Sequence, residues 1–64
     1  MRHHTVFEIN GQKVERWSEV LEIARQTGFS VSATQYRYDE EGYEIDAVEI
    51  DSHHIEDDFV ERAR

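Results

Sequence analysis

The pair Asn10-Gly11, set between Thr5-Val6-Phe7-Glu8-Ile9 and Gln12-Lys13-Val14, constrains this chain more than any other feature. Asn-Gly between extended segments favours a two-residue turn whose central residues both take positive φ, the geometry that matches the twist of a β-hairpin. Such a turn sets Ile9 opposite Gln12, Glu8 opposite Lys13 and Phe7 opposite Val14. The charged pair and the apolar pair then fall on opposite faces, as a hairpin with one buried side requires. The N-terminal segment therefore reads as a strand, with a short return strand to about residue 15.

Helical spacing follows. Val14, Trp17, Leu21 and Ala24 recur at i, i+3, i+7 and i+10, an apolar stripe that predicts a helix over about 16–27 with Trp17 in the core. Gly28 suits the left-handed residue that ends it. Beyond it, residues 31–39 and 43–51 flank Asp39-Glu40-Glu41-Gly42 and read as a second, longer hairpin. Pairing Tyr38 with Tyr43 would set Tyr36 against Ile45, Thr34 against Ala47, Arg37 against Glu44, Gln35 against Asp46, Ala33 against Val48 and Val31 against Ile50. In that register the apolar residues change face midway. Either a bulge near Asp46-Ala47 restores the phase or each face is covered at a different end. Ile55, Phe59 and Ala63, at four-residue spacing, predict a short C-terminal helix with Asp57 and Asp58 in its first turns. The fold class expected is α+β: a three- to four-stranded antiparallel sheet, one main helix on a face and a short C-terminal helix, in a single domain over 1–64.

With 64 residues, such a domain is marginal, since about 60% of the unfolded surface is all it can bury. The absence of cysteine removes disulfides, thiolate metal sites and a cysteine nucleophile. No apolar run approaches the roughly 20 residues of a membrane span, and no secretory-type leader is seen, so a cytoplasmic location is expected. Nucleotide-binding glycine loops, zinc-protease and hydrolase-elbow motifs are all missing, and the spacing of 39–51 does not fit a calcium loop. No catalytic residue, cofactor or metal is assigned. His3-His4 and His53-His54 leave a histidine-based metal site as a secondary alternative, with His54 and Asp58 at helical i, i+4 spacing. The two pairs would share one end of the sheet only if the first strand lay beside the last. In the order 2-1-3-4, the first pair sits near the Asp39–Gly42 turn instead.

Charge is the feature that stands above background. The formal net charge is −8, and residues 39–64 hold eleven acids against two arginines, whereas residues 1–38 hold four acids and five bases. A surface of this sign argues against direct binding to nucleic acid. Glu44, Asp46, Glu49 and Asp51 fall on one expected strand, with Asp39, Glu40 and Glu41 at its turn and Glu56, Asp57 and Asp58 on the helix that follows. Carboxylates two residues apart on a strand face are spaced about 6.7 Å, close to the phosphate spacing of a nucleic-acid strand. Tyr36, Tyr38 and Tyr43, beside Arg37, supply the residue types enriched at binding hot spots.

In size, acidity and lack of catalytic motifs the chain is similar to small phage-encoded inhibitors, anti-CRISPR proteins among them. That likeness is compositional and assigns no residue a role. Together these features lead to the expectation of a non-catalytic, acidic protein-binding module. It would block the basic surface of a nucleic-acid-handling protein through Tyr36, Arg37, Tyr38, Asp39, Glu40, Glu41, Tyr43, Glu44, Asp46, Glu49, Asp51, Glu56, Asp57 and Asp58. The alternative is a homo-oligomeric structural or accessory subunit, a homodimer being the simplest form, in which the acids only keep a solvated face.

Overall fold

In the computed structural model, which describes residues 4–63, four antiparallel strands carry two helices on one face. The elements run β1 (His4–Ile9), β2 (Gln12–Val14), α1 (Trp17–Gln26), β3 (Ala33–Tyr38), β4 (Glu44–Ile50) and α2 (Ser52–Arg62). The sheet order is β2-β1-β3-β4, so β1 and β3 are central and β2 and β4 form the edges.

The first hairpin has the expected register: Ile9 pairs with Gln12, Glu8 with Lys13 and Phe7 with Val14. Asn10 and Gly11 both take positive φ, 52° and 78°, as the two-residue turn requires. Helix α1 closes in a Schellman motif: Phe29 N–H donates to the Ala24 carbonyl at 2.8 Å and Gly28 N–H to that of Arg25 at 3.1 Å. Gly28, at φ 69°, is the left-handed residue of that motif.

The second hairpin departs from the expected register. Ala33 pairs with Ile50, Thr34 with Glu49, Gln35 with Val48, Tyr36 with Ala47, Arg37 with Asp46 and Tyr38 with Glu44. The irregularity between Arg37 and Tyr38 leaves Ile45 as the extra residue on β4, a one-residue bulge. The turn chemistry explains the shift. The Asp39 carboxylate accepts the N–H groups of Glu41 and Tyr43, both at 2.9 Å, and Gly42 N–H donates to the Asp39 carbonyl. This closed turn takes Tyr43 out of the strand, so it no longer faces Tyr38.

Helix α2 also begins earlier than its apolar spacing implied. Asp51 caps it, accepting His53 N–H at 2.6 Å, so Asp57 and Asp58 lie mid-helix and the first turn carries no acid. The core is Ile9, Val20, Leu21, Ile23, Ala24, Ala33 and Ile55, bordered by Phe7, Val14, Trp17, Phe29, Val31, Ile50 and Phe59. Ile9 and Ala33 are directly paired and both buried, which identifies the odd-numbered residues of β1 and β3 as the helix-covered side. Ile55 anchors α2 to this layer, the Phe29 and Phe59 rings meet at a tilt with 5.3 Å between centroids, and Phe7 meets Trp17 at 5.4 Å. No helix among the described residues is long and apolar enough to cross a membrane.

Candidate functional site: a helix-free sheet face with an acidic border

Strand alternation places the remaining sheet residues on a face that no helix of the described residues covers. The two pairings of β3 align three rungs across it: His4–Tyr38–Glu44, Val6–Tyr36–Ala47 and Glu8–Thr34–Glu49. Lys13 extends the last rung beside Glu8. Val6, Tyr36 and Tyr38 are half-buried by their neighbours alone, and Ala47 is exposed. The His4 and Tyr38 rings lie 6.4 Å apart, tilted by 40°. The result is an aromatic and aliphatic strip bordered on the β4 side by the carboxylates of Glu44 and Glu49.

The bulge at Ile45 creates that border. Residues five apart on a regular strand lie on opposite faces; the extra residue brings Glu44 and Glu49 to the same one. Two rung steps separate them, a distance of about 13 Å. Asp46, between them in sequence, belongs to the helix side, where it pairs with Arg37 in a two-bond ion pair, Arg37 Nε donating to Oδ1 at 2.9 Å. The expected ladder of carboxylates at phosphate spacing is therefore not formed. Arg37 likewise sits on the opposite face from Tyr36 and Tyr38, and its partner is Asp46 rather than Glu44.

Among the acids of residues 39–63, those whose side chains are bonded within the fold are aspartates. Four of the five aspartates are bound into the fold: Asp39 ties the turn, Asp46 holds Arg37, Asp51 caps α2, and Asp58 accepts from Trp17 Nε1 and from Arg62 Nε at 2.7 Å. The hydrogen bond from Trp17, then that from Arg62, holds the Asp58 carboxyl below its ordinary value, and His54 adds a smaller effect. Arg37 does the same for Asp46 through its hydrogen bonds. By contrast Glu40, Glu41, Glu44, Glu49, Glu56 and Asp57 are exposed and make no side-chain bond to another described residue. Glu56 and Asp57 lie on α2, behind the sheet as seen from the tyrosines. Tyr43, 70% exposed, stands outside the strands next to the turn.

Among the described residues, the histidines of the two pairs do not meet. His4 pairs with Tyr38 beside the Asp39–Gly42 turn, while His53 and His54 open α2 just after β4 ends at the other end of the sheet. His3 lies outside the described residues. Among those residues no group of three or more His, Asp or Glu side chains gathers where an ion could be held. A hollow of about 370 Å³ lined by Trp17, Gln35, Ile50, His54, Asp58 and Arg62 lies between the sheet and α2. Its one carboxylate already serves Trp17 and Arg62.

Two signals for this site escaped the spacing argument. Val6 and Ala47 complete the middle rung, yet neither stands out in sequence. Glu8 reaches the face through β1, whose pairing with β3 spans about thirty residues of chain. Compared with family models, curated proteins and solved structures, the chain gives no match.

Proposed function

We propose that this chain is a non-catalytic protein-binding module that docks through its helix-free sheet face onto a basic surface of a nucleic-acid-handling protein. By occupying that surface it acts as an inhibitor in the manner of small phage-encoded, anti-CRISPR-like proteins, in the cytoplasm of its host. One observation carries the reading: the bulge at Ile45 sets Glu44 and Glu49 at the border of a strip that already holds Tyr36, Tyr38, Val6 and Ala47. Such a strip supplies apolar contact area, and the carboxylates select a cationic counterpart and speed its approach.

The recognition differs from imitation of a phosphate ladder, because Asp46 is turned away and bound to Arg37. Charge selects the partner here, and the tyrosines supply the contact. Binding should therefore weaken with salt without vanishing as completely as a purely electrostatic complex, since surface charges are screened within about 10 Å at 0.1 M.

The test is capture by the tagged chain from nuclease-treated host lysate at low and high salt, read by mass spectrometry. The reading predicts one nucleic-acid-handling protein or complex, retained at low salt and depleted at high salt. Recovery of the bait alone, or of partners with no basic surface, contradicts it.

A further inference from the structure

We infer that the outer edge of β4 accepts an extended segment of the partner as a fifth strand, one whose residues alternate between cationic and apolar. This rests on the protein-binding reading above and specifies how the partner engages. The sheet has two edges, and they are not equivalent. β2 is only Gln12–Val14, three residues, too short to template a strand. β4 is Glu44–Ile50, seven residues, and its stretch from Asp46 to Ile50 pairs regularly with β3 beyond the bulge. Its outward backbone groups have no partner strand among the described residues.

The two sides of β4 specify the two kinds of residue. On the helix-free side, Glu49 and, past the bulge, Glu44 ask for Lys or Arg in cross-strand position. On the helix side, Val48 is 49% exposed and lines a shallow hollow of about 360 Å³ with Glu49, Ile50, Asp51 and His54. An apolar side chain on an added strand, next to Val48 and Ile50, enters that hollow. The period of two along a strand makes the pattern alternate. Main-chain hydrogen bonds would supply affinity, and the alternating side chains specificity.

The same charges exclude the obvious competitor. A second copy of this chain would lay Glu44, Asp46 and Glu49 alongside the same three acids, with a formal charge of −8 on each molecule. Acids along an edge block homotypic pairing; these also choose a cationic strand over a neutral one.

The probe is an acetylated Lys-Val-Lys-Val-Lys-Val-Lys amide, matched in length to β4, titrated into the full chain and followed by amide chemical shifts. Two charge-identical analogues carry backbone N-methyl groups, one on the valines and the other on the lysines. The amides of an added strand alternate between facing β4 and facing solvent, so one analogue should bind like the parent and the other at least tenfold more weakly. Shifts should concentrate on residues 46–50, and Glu44→Lys/Glu49→Lys should abolish them. Equal behaviour of the two analogues, or no binding up to millimolar parent peptide, overturns the inference. Shifts confined to Val6, Tyr36 and Tyr38 also overturn it, while leaving the docking face of the proposed function intact.

Discussion

At the scale of single residues, four of the five aspartates are tied into the structure, whereas among the glutamates of the described residues only Glu22, bound to Arg25, and Glu15, near His4, have a charged partner. The shorter side chain reaches its own backbone, as at Asp39 and Asp51, and gives a stiff acceptor, as at Asp46 and Asp58. Asp58 joins the two helices, since it holds Trp17 of α1 from within α2. Its folded pKa lies below the unfolded value of about 3.9, so the stability it contributes is present above that value. That contribution is lost as pH falls through the lower folded value. Asp58→Asn should lower the melting temperature at pH 7, and it should narrow the difference in melting temperature between pH 7 and pH 3 relative to wild type. An unchanged difference would contradict the role given to the charge. Gly11 offers a second residue-scale check. A Cβ there meets no atom within 4 Å, so the cost of Gly11→Ala is purely that of holding φ 78° with a side chain, about 1–2 kcal/mol by chemical denaturation. Phe29 already bears a comparable cost at φ 57°, offset by its packing on Phe59.

At the scale of elements, α2 depends on one buried side chain. Ile55 is fully enclosed, and it is the single buried residue of the helix. Ile55→Val should cost about 0.5–1.5 kcal/mol and Ile55→Ala about 2–5 kcal/mol. The larger figure rivals the whole stability expected of so small a core, so the alanine variant should be largely unfolded at room temperature by circular dichroism. Retention of a full cooperative transition in Ile55→Ala would mean that α2 is not part of the core. Elements whose signals are local were legible in the sequence: the Asn10-Gly11 hairpin to the residue, α1 from its stripe, and the left-handed Gly28. The second hairpin was legible as a hairpin but not in register, because Asp39 captures two backbone amides and expels Tyr43 from the strand. The sequence leaves open a bulge near Asp46-Ala47 or faces covered at different ends; the structure has the bulge, at Ile45. That single residue decides which acids flank the tyrosines, so the acidic set could be named from sequence while its division between faces could not. The start of α2 was missed because Asp51 reads equally well as a strand end and as a cap.

At the scale of the whole molecule, the helix-free face of the sheet carries both aromatic residues and carboxylates. The helix-free face carries aromatic contact area, yet Glu8, Glu44 and Glu49 on the same face oppose stacking against an identical copy. The chain should therefore sediment as a monomer at low ionic strength and micromolar concentration; a dimer mass would favour the self-associating subunit. The central claim is that partner binding belongs to the helix-free face rather than to acidity at large. It is tested most directly by two double charge reversals of equal size. Glu44→Lys/Glu49→Lys alters the border of the tyrosine strip, and Glu56→Lys/Glu61→Lys alters exposed acids of α2 behind the sheet. Recovery of the lysate partner at low salt should be lost with the first and retained with the second. Equal loss in both variants, or retention in both, would contradict the account.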